Sequence, residues 1–234
     1  KLLIISKNTL MVKHFVLAFL CLCVGTSSAF AQKSRTKKIF HFEAKSVRFT
    51  GDGVTGETYF FKPAFEAGFG IQYPLTSRVS FNPELTLSQK GFHGKTSFSD
   101  STYTERNFSL NYLDVSPNFE IKLGSVSEYA SGFSIWGGPY LGIGLWDNAS
   151  YDIRSENPAK RGTYVLTSTT GESFSRDIRR MDLGFKVGIG IVSQNFVSLG
   201  LTYQSGLMNI ATNTKSLYNQ SLGFYMRVFF DDIL

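Results

Sequence analysis

The sequence predicts an all-β fold, an eight-stranded antiparallel up-and-down transmembrane β-barrel, and three observations support it. Eight segments after residue 38 have apolar residues at every second position, the period of a strand with two unlike faces. The opposite face of these segments collects charged side chains and glycines. The connections between the segments alternate between short and long, as in barrels that cross an outer membrane.

The N-terminal segment has the pattern of a cleaved secretory signal peptide. Lys13 precedes an apolar run from Phe15 to Gly25, and small residues lead to an A-x-A cleavage site at Ala29-Phe30-Ala31. A transmembrane anchor is the alternative, but this run spans only about 16 Å as a helix, roughly half of the hydrocarbon core. We expect residues 1–31, including those upstream of Met11, to be removed together with both cysteines. Residues 32–38 then form a basic tail, and residues 39–234 form the barrel domain.

The composition and charge exclude several other classes. With 42% hydrophobic and 18% charged residues the chain can bury a core, and two cysteines cannot staple a disulfide scaffold. The net charge of +6 is concentrated before residue 39, where the signal lysines are followed by Lys33, Arg35, Lys37 and Lys38. From residue 39 onward basic and acidic residues nearly balance, so we expect no nucleic-acid partner.

Eight segments are predicted to cross the membrane as strands. They are Phe40–Lys45, Pro63–Tyr73, Val79–Lys90, Tyr112–Leu123, Phe133–Trp146, Met181–Ile191, Val197–Leu207 and Leu222–Phe230. Seven of them reach or approach the roughly 9–11 residues that a tilted strand needs to cross a bilayer, and the first is the weakest. Aromatic residues near segment ends, such as Tyr73, Phe133, Tyr203 and Phe230, are typical of interface girdles.

The polar face distinguishes a membrane barrel from a soluble sandwich or a lipocalin-like barrel, whose apolar faces point inward. Many glycines are not expected on the solvent-exposed face of a soluble sheet, whereas in a lumen they make room for the large rings of Trp136, Tyr140 and Tyr225. We therefore predict a structural charge network in the lumen, formed by Glu66, Glu84, Asp114, Glu120, Asp182, Lys186 and Arg227. Four more charged residues share that face: Glu43, Lys45, Lys90 and Lys122. A solute-selecting pore is the alternative, which an eight-stranded lumen disfavours because side chains fill it.

The long connections are expected on the outer side of the membrane and the short ones, with both termini, on the periplasmic side. The long ones lie near residues 48–62, 92–110, 147–180 and 208–218. Arg176, Arg179 and Arg180 in the third are either ordinary solvated charges or, by hypothesis, contacts for lipopolysaccharide phosphates, which arginine forks suit.

No catalytic residue, cofactor site or metal site is predicted, and we expect that the protein is not an enzyme. The glycine pairs at 142/144 and 188/190 lack the third glycine and the helix of a dinucleotide motif. After the signal segment only His41 and His93 occur, far apart and without a cysteine, which disfavours zinc. A membrane-embedded hydrolase around His93, with Asp100 and the serines at 97, 99 and 101, is the enzymatic alternative.

The order of several short motifs resembles the PorT-like outer-membrane β-barrel family of Gram-negative bacteria. The motifs are Lys62-Pro-Ala-Phe-Glu-Ala-Gly, Phe81-Asn-Pro-Glu-Leu-Thr-Leu-Ser-Gln-Lys-Gly91, Leu113-Asp-Val-Ser-Pro117, Gly137-Gly-Pro-Tyr-Leu-Gly142, Asp182-Leu-Gly and Ser221-Leu-Gly-Phe-Tyr. The resemblance covers nearly all of residues 39–230, although the first strand lacks the Gly-rich opening of the family. It implies an eight-stranded outer-membrane barrel, some members being tied to a protein-secretion machine, and it carries over no catalytic residue.

The function expected from these observations is a structural or interaction role in the outer membrane, within an envelope secretion or adhesion complex. The expected partners are outer-membrane lipid, lipopolysaccharide and an envelope protein. A small-solute channel, a hydrolase and a secreted lipocalin-like carrier remain the alternatives.

Overall fold

A computed structural model describes residues 36–98, 102–124, 131–156, 164–172, 174, 178–193, 196–212 and 215–231. The predicted signal peptide, the start of the basic tail and Arg176 lie outside these residues. None of the helices in the described ranges is long and apolar enough to cross a membrane.

Ten β-strands and one short 3-10 helix make up the described structure. The strands are β1 (Lys37–Thr50), β2 (Thr58–Tyr59), β3 (Pro63–Pro74), β4 (Val79–Ser97), β5 (Tyr103–Leu123), β6 (Gly132–Glu156), β7 (Tyr164–Gly171), β8 (Met181–Ser193), β9 (Val197–Gly206) and β10 (Tyr218–Asp231), and the helix is Asp52–Val54.

Eight of these strands form a closed antiparallel ring. The ring runs β1, β3, β4, β5, β6, β8, β9 and β10, and β10 pairs with β1. The two remaining strands lie outside it, β2 against β4 and β7 against β6. The predicted eight-stranded up-and-down barrel is therefore confirmed, and closure gives each strand of the ring two paired edges.

The barrel is apolar outside and polar inside. Along β3, Phe65 and Phe69 face outward, Phe69 being 70% exposed, while Glu66 between them is only 2% exposed. The same alternation continues around the ring, with Leu85 of β4, Val115 of β5 and Ile189 of β8 among the exposed outward side chains. We call this outward surface the apolar belt. A surface of this kind is stable only against hydrocarbon.

Both ends of the apolar belt are marked by polar or aromatic side chains. Tyr73, Phe133 and Phe230 are exposed at the end with the short turns, as predicted for an aromatic girdle. Near the opposite end, Arg48 Nε donates to Gln220 Oε1 at 2.5 Å, and Gln220 Nε2 donates to the Tyr203 hydroxyl at 2.5 Å.

Two of the predicted long connections are instead largely β-structure. β4 and β5 continue to Ser97 and from Tyr103, paired along their whole length, and β6 continues to Glu156 before β7 folds back on it. We call residues 91–97, 103–111, 146–156 and 164–171, with β2 at one edge, the outer sheet. The prediction of loops was wrong here because the sheet faces water beyond the belt, so its apolar side chains, such as Phe108 and Leu110, change to the inward face and interrupt the alternation seen in the belt. The first strand, predicted as short, has 14 residues because β10 pairs with all of it.

Trp146, which the alternation of Trp136 and Tyr140 predicts on the lumen face, lies on the outside and is 53% exposed. The pairing of β5 with β6 shifts between Asn111 and Tyr112, which leaves Leu145 as an extra residue on β6. This bulge reverses the faces of everything after it, so that Ala149 becomes buried inside. The prediction for Trp146 was wrong because alternation carried through residue 145 cannot show an inserted residue.

Candidate functional site

The centre of the lumen holds a cluster of ion pairs around Glu66. The Lys45 ammonium lies 2.6 Å from Glu66 Oε2, and the Lys186 ammonium lies 2.5 Å from Glu66 Oε1. Lys186 also lies 2.9 Å from Glu43 Oε2. These four side chains come from β1, β3 and β8, so the pairs join strands on different sides of the ring. All four are almost completely buried.

A second cluster surrounds the Lys90 ammonium. Asp114 Oδ2 and Asp182 Oδ2 each lie 2.9 Å from Lys90 Nζ. The Tyr140 hydroxyl donates to Asp182 Oδ2 at 3.0 Å, and the Lys90 ammonium lies 4.1 Å from the centre of the Tyr140 ring. Gln204 of β9 donates to Asp114 at 3.3 Å. The cluster therefore links β4, β5, β6, β8 and β9 across the lumen.

A third cluster is built on Glu84. Arg227 Nη2 lies 2.5 Å from Glu84 Oε1, and His41 Nδ1 lies 2.6 Å from Glu84 Oε2. The Arg227 guanidinium packs 3.5 Å from the centre of the Trp136 ring. The predicted network did not include His41, although its alternation with Phe40 and Phe42 already pointed to the lumen face. A lone histidine offers no pattern that identifies its partners.

Glu120 is held by amides rather than by an ammonium. Gln72 and Asn82 donate to its Oε2 at 3.1 and 2.8 Å. With this residue, all seven side chains of the predicted charge network lie buried in the lumen: Glu66, Glu84, Asp114, Glu120, Asp182, Lys186 and Arg227. Lys122, predicted on the same face, is only half-buried at the periplasmic end. We call the buried charged residues of the three clusters and Glu120 the ionic network.

Glycines on the lumen face make room for large aromatic rings, as predicted. A Cβ atom on Gly188 would lie 2.2 Å from the Trp136 ring, and one on Gly184 would lie 2.6 Å from the Tyr140 ring. Both rings are almost completely buried. The glycines therefore let a narrow barrel hold two bulky rings among its charges.

Buried apolar side chains cluster at both ends of the lumen. We call the outer group the apolar cap; its buried members are Phe49, Val54, Phe92, Phe108, Leu110, Tyr112, Ala149, Phe174, Ile178 and Ile210. The strand residues among them continue the lumen face beyond the ionic network. Val54, Phe174, Ile178 and Ile210 come from connections that fold into the mouth. At the periplasmic end Ile39, Val192 and Phe229 pack together.

The connection after β1 is held over the mouth by specific polar contacts. Arg106 Nη2 donates to the Gly53 carbonyl at 3.2 Å, and the same side chain forms an ion pair with Glu57. The Ser216 hydroxyl donates to Asp52 Oδ2 at 3.1 Å, which ties this connection to the one before β10. The sequence offered no signal for the apolar cap, because all of its members except Tyr112 belong to predicted loops.

Lys62 crosses the outside of β4 at a glycine. Its ammonium donates to Asn107 Oδ1 at 2.5 Å and to Ser109 Oγ at 2.9 Å, both on β5. Gly91 lies beneath it with φ +146°, and a Cβ atom there would lie 3.2 Å from Lys62 Cε. Partial burial lowers the pKa of the Lys62 ammonium below its ordinary value, because desolvation disfavours the charged form.

His41, Glu43 and Glu66 have donor atoms within 4.8 Å of one another, which is close enough to hold a metal ion. The space that such an ion would take is already used by ammonium groups, however. Lys186 bridges the two carboxylates, and Lys45 holds the other oxygen of Glu66. These residues therefore fit an ion-pair cluster and do not fit a divalent cation site.

His93 lies on the outward face of the outer sheet and is paired with a carboxylate. Its Nε2 lies 2.6 Å from Glu105 Oε1, and its ring centre lies 4.8 Å from that of Phe60. Ser97 follows further along the same strand, about 13 Å away at the rise of a β-strand. The serines at 99 and 101 and Asp100 lie outside the described residues. The described side chains thus do not bring Ser97 into a catalytic arrangement with His93.

Of the three arginines predicted to contact lipopolysaccharide, Arg180 binds the barrel itself. Its Nη1 donates to the carbonyls of Gly144 and Leu145, each at 3.2 Å, and its guanidinium lies 5.2 Å from the centre of the Phe174 ring. The Arg179 amide donates to the Ile210 carbonyl at 2.7 Å. Arg180 thus ties its connection to the bulge in β6, and a lipopolysaccharide contact stays a prediction.

Comparison with known proteins gives the class of the chain. The family model described as the outer membrane protein beta-barrel domain matches residues 30–212. No curated protein matches the sequence. Similar solved structures include Neisserial surface protein A, at 12% identity over 82% of this chain and 96% of that one, with a TM-score of 0.42. They also include Ail, the attachment invasion locus protein of Yersinia pestis, at 12% identity, 84% and 100% coverage and a TM-score of 0.41.

A further similar structure is the outer membrane protein OprG from Pseudomonas aeruginosa, at 11% identity, 85% and 97% coverage and a TM-score of 0.33. The family match covers most of the chain, and the ring of eight strands has the exposed apolar belt that such proteins need. This is an outer-membrane β-barrel protein. The chain belongs to the outer membrane protein beta-barrel domain family.

Proposed function

We propose that this protein is a sealed, non-conducting outer-membrane barrel that acts as a structural and interaction component of an envelope complex, in secretion or adhesion. The observation that carries the proposal is the filling of the lumen in three layers. The apolar cap closes the outer end, the ionic network fills the middle, and Ile39, Val192 and Phe229 close the periplasmic end.

The ionic network supports a structural role because each of its lysine and arginine side chains lies against a carboxylate. A buried charge is stable only when a counter-charge or hydrogen-bond donors replace water. Lys45, Lys90 and Lys186 each lie within 3 Å of at least one carboxylate, and Glu120 accepts two amide donors. A conducting pore would instead keep such charges hydrated and accessible to passing ions.

The outer sheet supports the interaction role. It extends well beyond the apolar belt, so its residues face the cell exterior rather than lipid. Apolar side chains remain exposed there, among them Phe98 at the tip of the β4–β5 hairpin, which is 73% exposed, and Leu166 of β7. Exposed apolar side chains on a paired sheet are suited to protein contacts. We propose no enzymatic reaction for this protein.

We also propose that the chain is a PorT-like member of its family. The resemblance is supported by motifs that the fold uses: Phe81–Gly91 lies in β4, Leu113–Pro117 in β5 and Gly137–Gly142 in β6. Deletion of the gene followed by comparison of secreted proteins would test the secretion role. An unchanged set of secreted proteins would contradict that role and favour adhesion.

Planar-bilayer recording tests the seal. The refolded barrel is expected to give no stepwise current, because each end of the lumen is closed by packed apolar side chains. Insertion can be verified with a single Cys at exposed Ser97, labelled from one side of the bilayer, since the barrel residues contain no other cysteine. Steady unitary currents from the labelled, inserted protein would contradict the proposal and favour a small-solute channel.

Photo-crosslinking in whole cells tests the interaction role. A photoreactive residue at Phe98 is expected to give an adduct with an envelope or extracellular protein, because this side chain faces away from the membrane. The matched control is the same residue at Leu141, on the apolar belt, where lipid is the expected neighbour. Equal protein adducts from both positions, or none from Phe98, would contradict an interaction through the outer sheet.

A further inference from the structure

β7 forms the end of the outer sheet, and its second edge has no strand against it in the described parts of the chain. It pairs with β6 alone, from Tyr164 opposite Glu156 to Gly171 opposite Ala149. All eight of its residues are exposed. The opposite end of the same sheet differs, because β4 is followed there by β2 and, lower down, by β3.

The edge of β7 lacks the features that usually protect an exposed strand. Its sequence, Tyr-Val-Leu-Thr-Ser-Thr-Thr-Gly, has no charged residue and no proline. Lysines, prolines, bulges or very short length normally prevent an edge from pairing with other chains. Here β-branched and aromatic residues with high strand propensity leave a row of backbone donors and acceptors along the edge.

We propose that the free edge of β7 binds an extended segment of another polypeptide by antiparallel strand addition. This inference rests on the proposed interaction function and names its surface. Only another polypeptide strand matches a row of alternating N–H and C=O groups, which identifies the chemical class of the partner. Because β7 carries no charge, the segment it fits is itself uncharged and rich in hydroxyl and β-branched side chains.

A different polypeptide fits the edge better than a second copy of this chain. Two copies in one outer membrane have the same orientation, so their β7 strands both run toward the membrane. Pairing between them would be parallel, which is the less stable arrangement and is rarely found without cover on both faces. A segment from a separate protein can run in the opposite direction and form the antiparallel ladder.

The test uses the full refolded protein and a synthetic peptide of alternating Thr and Val, about eight residues long, with one Lys and one Glu at its ends. Binding is measured by fluorescence anisotropy, and hydrogen exchange is followed over residues 164–171. The peptide is expected to slow amide exchange in β7 by about tenfold or more, because free-edge amides become hydrogen-bonded. A peptide with two central prolines is the control and is expected not to bind.

Variants of the protein locate the contact. Thr167→Lys together with Thr169→Lys charges the edge strand and is expected to weaken peptide binding by about tenfold or more. Ser150→Lys is the matched control, because Ser150 lies in the same sheet on β6, between Asn107 of β5 and Thr170 of β7. It is expected to leave binding unchanged.

Three outcomes would overturn the inference. The proline peptide could bind as well as the Thr-Val peptide, protection could appear outside β7, or the protein could associate with itself through β7 in a way that the two lysines abolish. Conductance in planar bilayers is independent of all three. A conducting barrel that still binds the peptide would contradict the seal and leave the edge site standing.

Discussion

The inward and outward faces of β4 and β5 exchange their chemistry where these strands leave the apolar belt. Within the belt, β4 presents Leu85 outward and Glu84 inward; in the outer sheet, the same strand presents His93 outward and Phe92 inward. β5 shows the same change: its inward face carries Asp114 within the belt and Phe108 in the outer sheet. The difference shows that the surrounding solvent, hydrocarbon below and water above, decides which chemistry each face of one strand carries.

The two regions also differ in how their interiors are stabilised. The barrel interior relies on paired charges, for which each partner is needed to compensate the other. The apolar cap beneath the outer sheet relies on ring packing, such as the nearly parallel rings of Phe49 and Phe92, whose centres lie 5.5 Å apart. Mutations of the paired charges should therefore act through electrostatics, and mutations next to packed rings should act through packing volume.

Breaking the central ion-pair cluster should have the largest effect. Glu66→Leu removes the carboxylate that Lys45 and Lys186 share and leaves an uncompensated buried ammonium, which is expected to cost about 3–5 kcal/mol of the free energy of unfolding. Urea unfolding in lipid vesicles measures this change. The double variant Glu66→Leu with Lys45→Met should recover much of the stability. Equal stability of the single variant and the wild type would show that the ammonium groups are hydrated.

A charge placed on the apolar belt should have the next largest effect. Leu141→Arg puts a guanidinium against hydrocarbon on β6 and is expected to cost about 2–4 kcal/mol of folding into bilayers. Ser150→Arg places the same side chain above the belt on the same strand and should change stability by less than about 0.5 kcal/mol. Similar costs at both positions would mean that the two regions face the same solvent.

Filling the space beneath an aromatic ring should have the smallest effect of the three. Gly188→Ala adds a methyl group where Trp136 lies 2.2 Å from the Cβ position, so the ring must move, at an expected cost of about 1–3 kcal/mol. Gly171→Ala in β7 is the control, because no atom lies within 4 Å of that Cβ position. Near-UV circular dichroism should report a changed tryptophan environment only for the first variant. Identical spectra would contradict the packing of Trp136 on Gly188.

The charge network shows how far the sequence alone could be followed. Alternation with Phe65 and Phe69 was enough to predict that Glu66 faces the lumen, because the side-chain period of a strand is two. That Lys186 is its partner could not be predicted, since β8 is far from β3 in the chain and is not paired with it in the ring. The apolar cap escaped prediction in part because Phe174 and Ile210 lie in irregular segments, where neither the two-residue period of a strand nor the roughly 3.6-residue period of a helix applies.

By itself the sequence determined the closed barrel, its apolar exterior and its charged interior, because every transmembrane strand must present one face to hydrocarbon and the other to the lumen. Tertiary structure alone decided which charges pair, where Leu145 shifts the register, how the mouth is closed and that β7 ends the outer sheet with a free edge. Each of these depends on contacts between distant segments or on strands beyond the belt, where hydrocarbon no longer decides which face carries the apolar side chains.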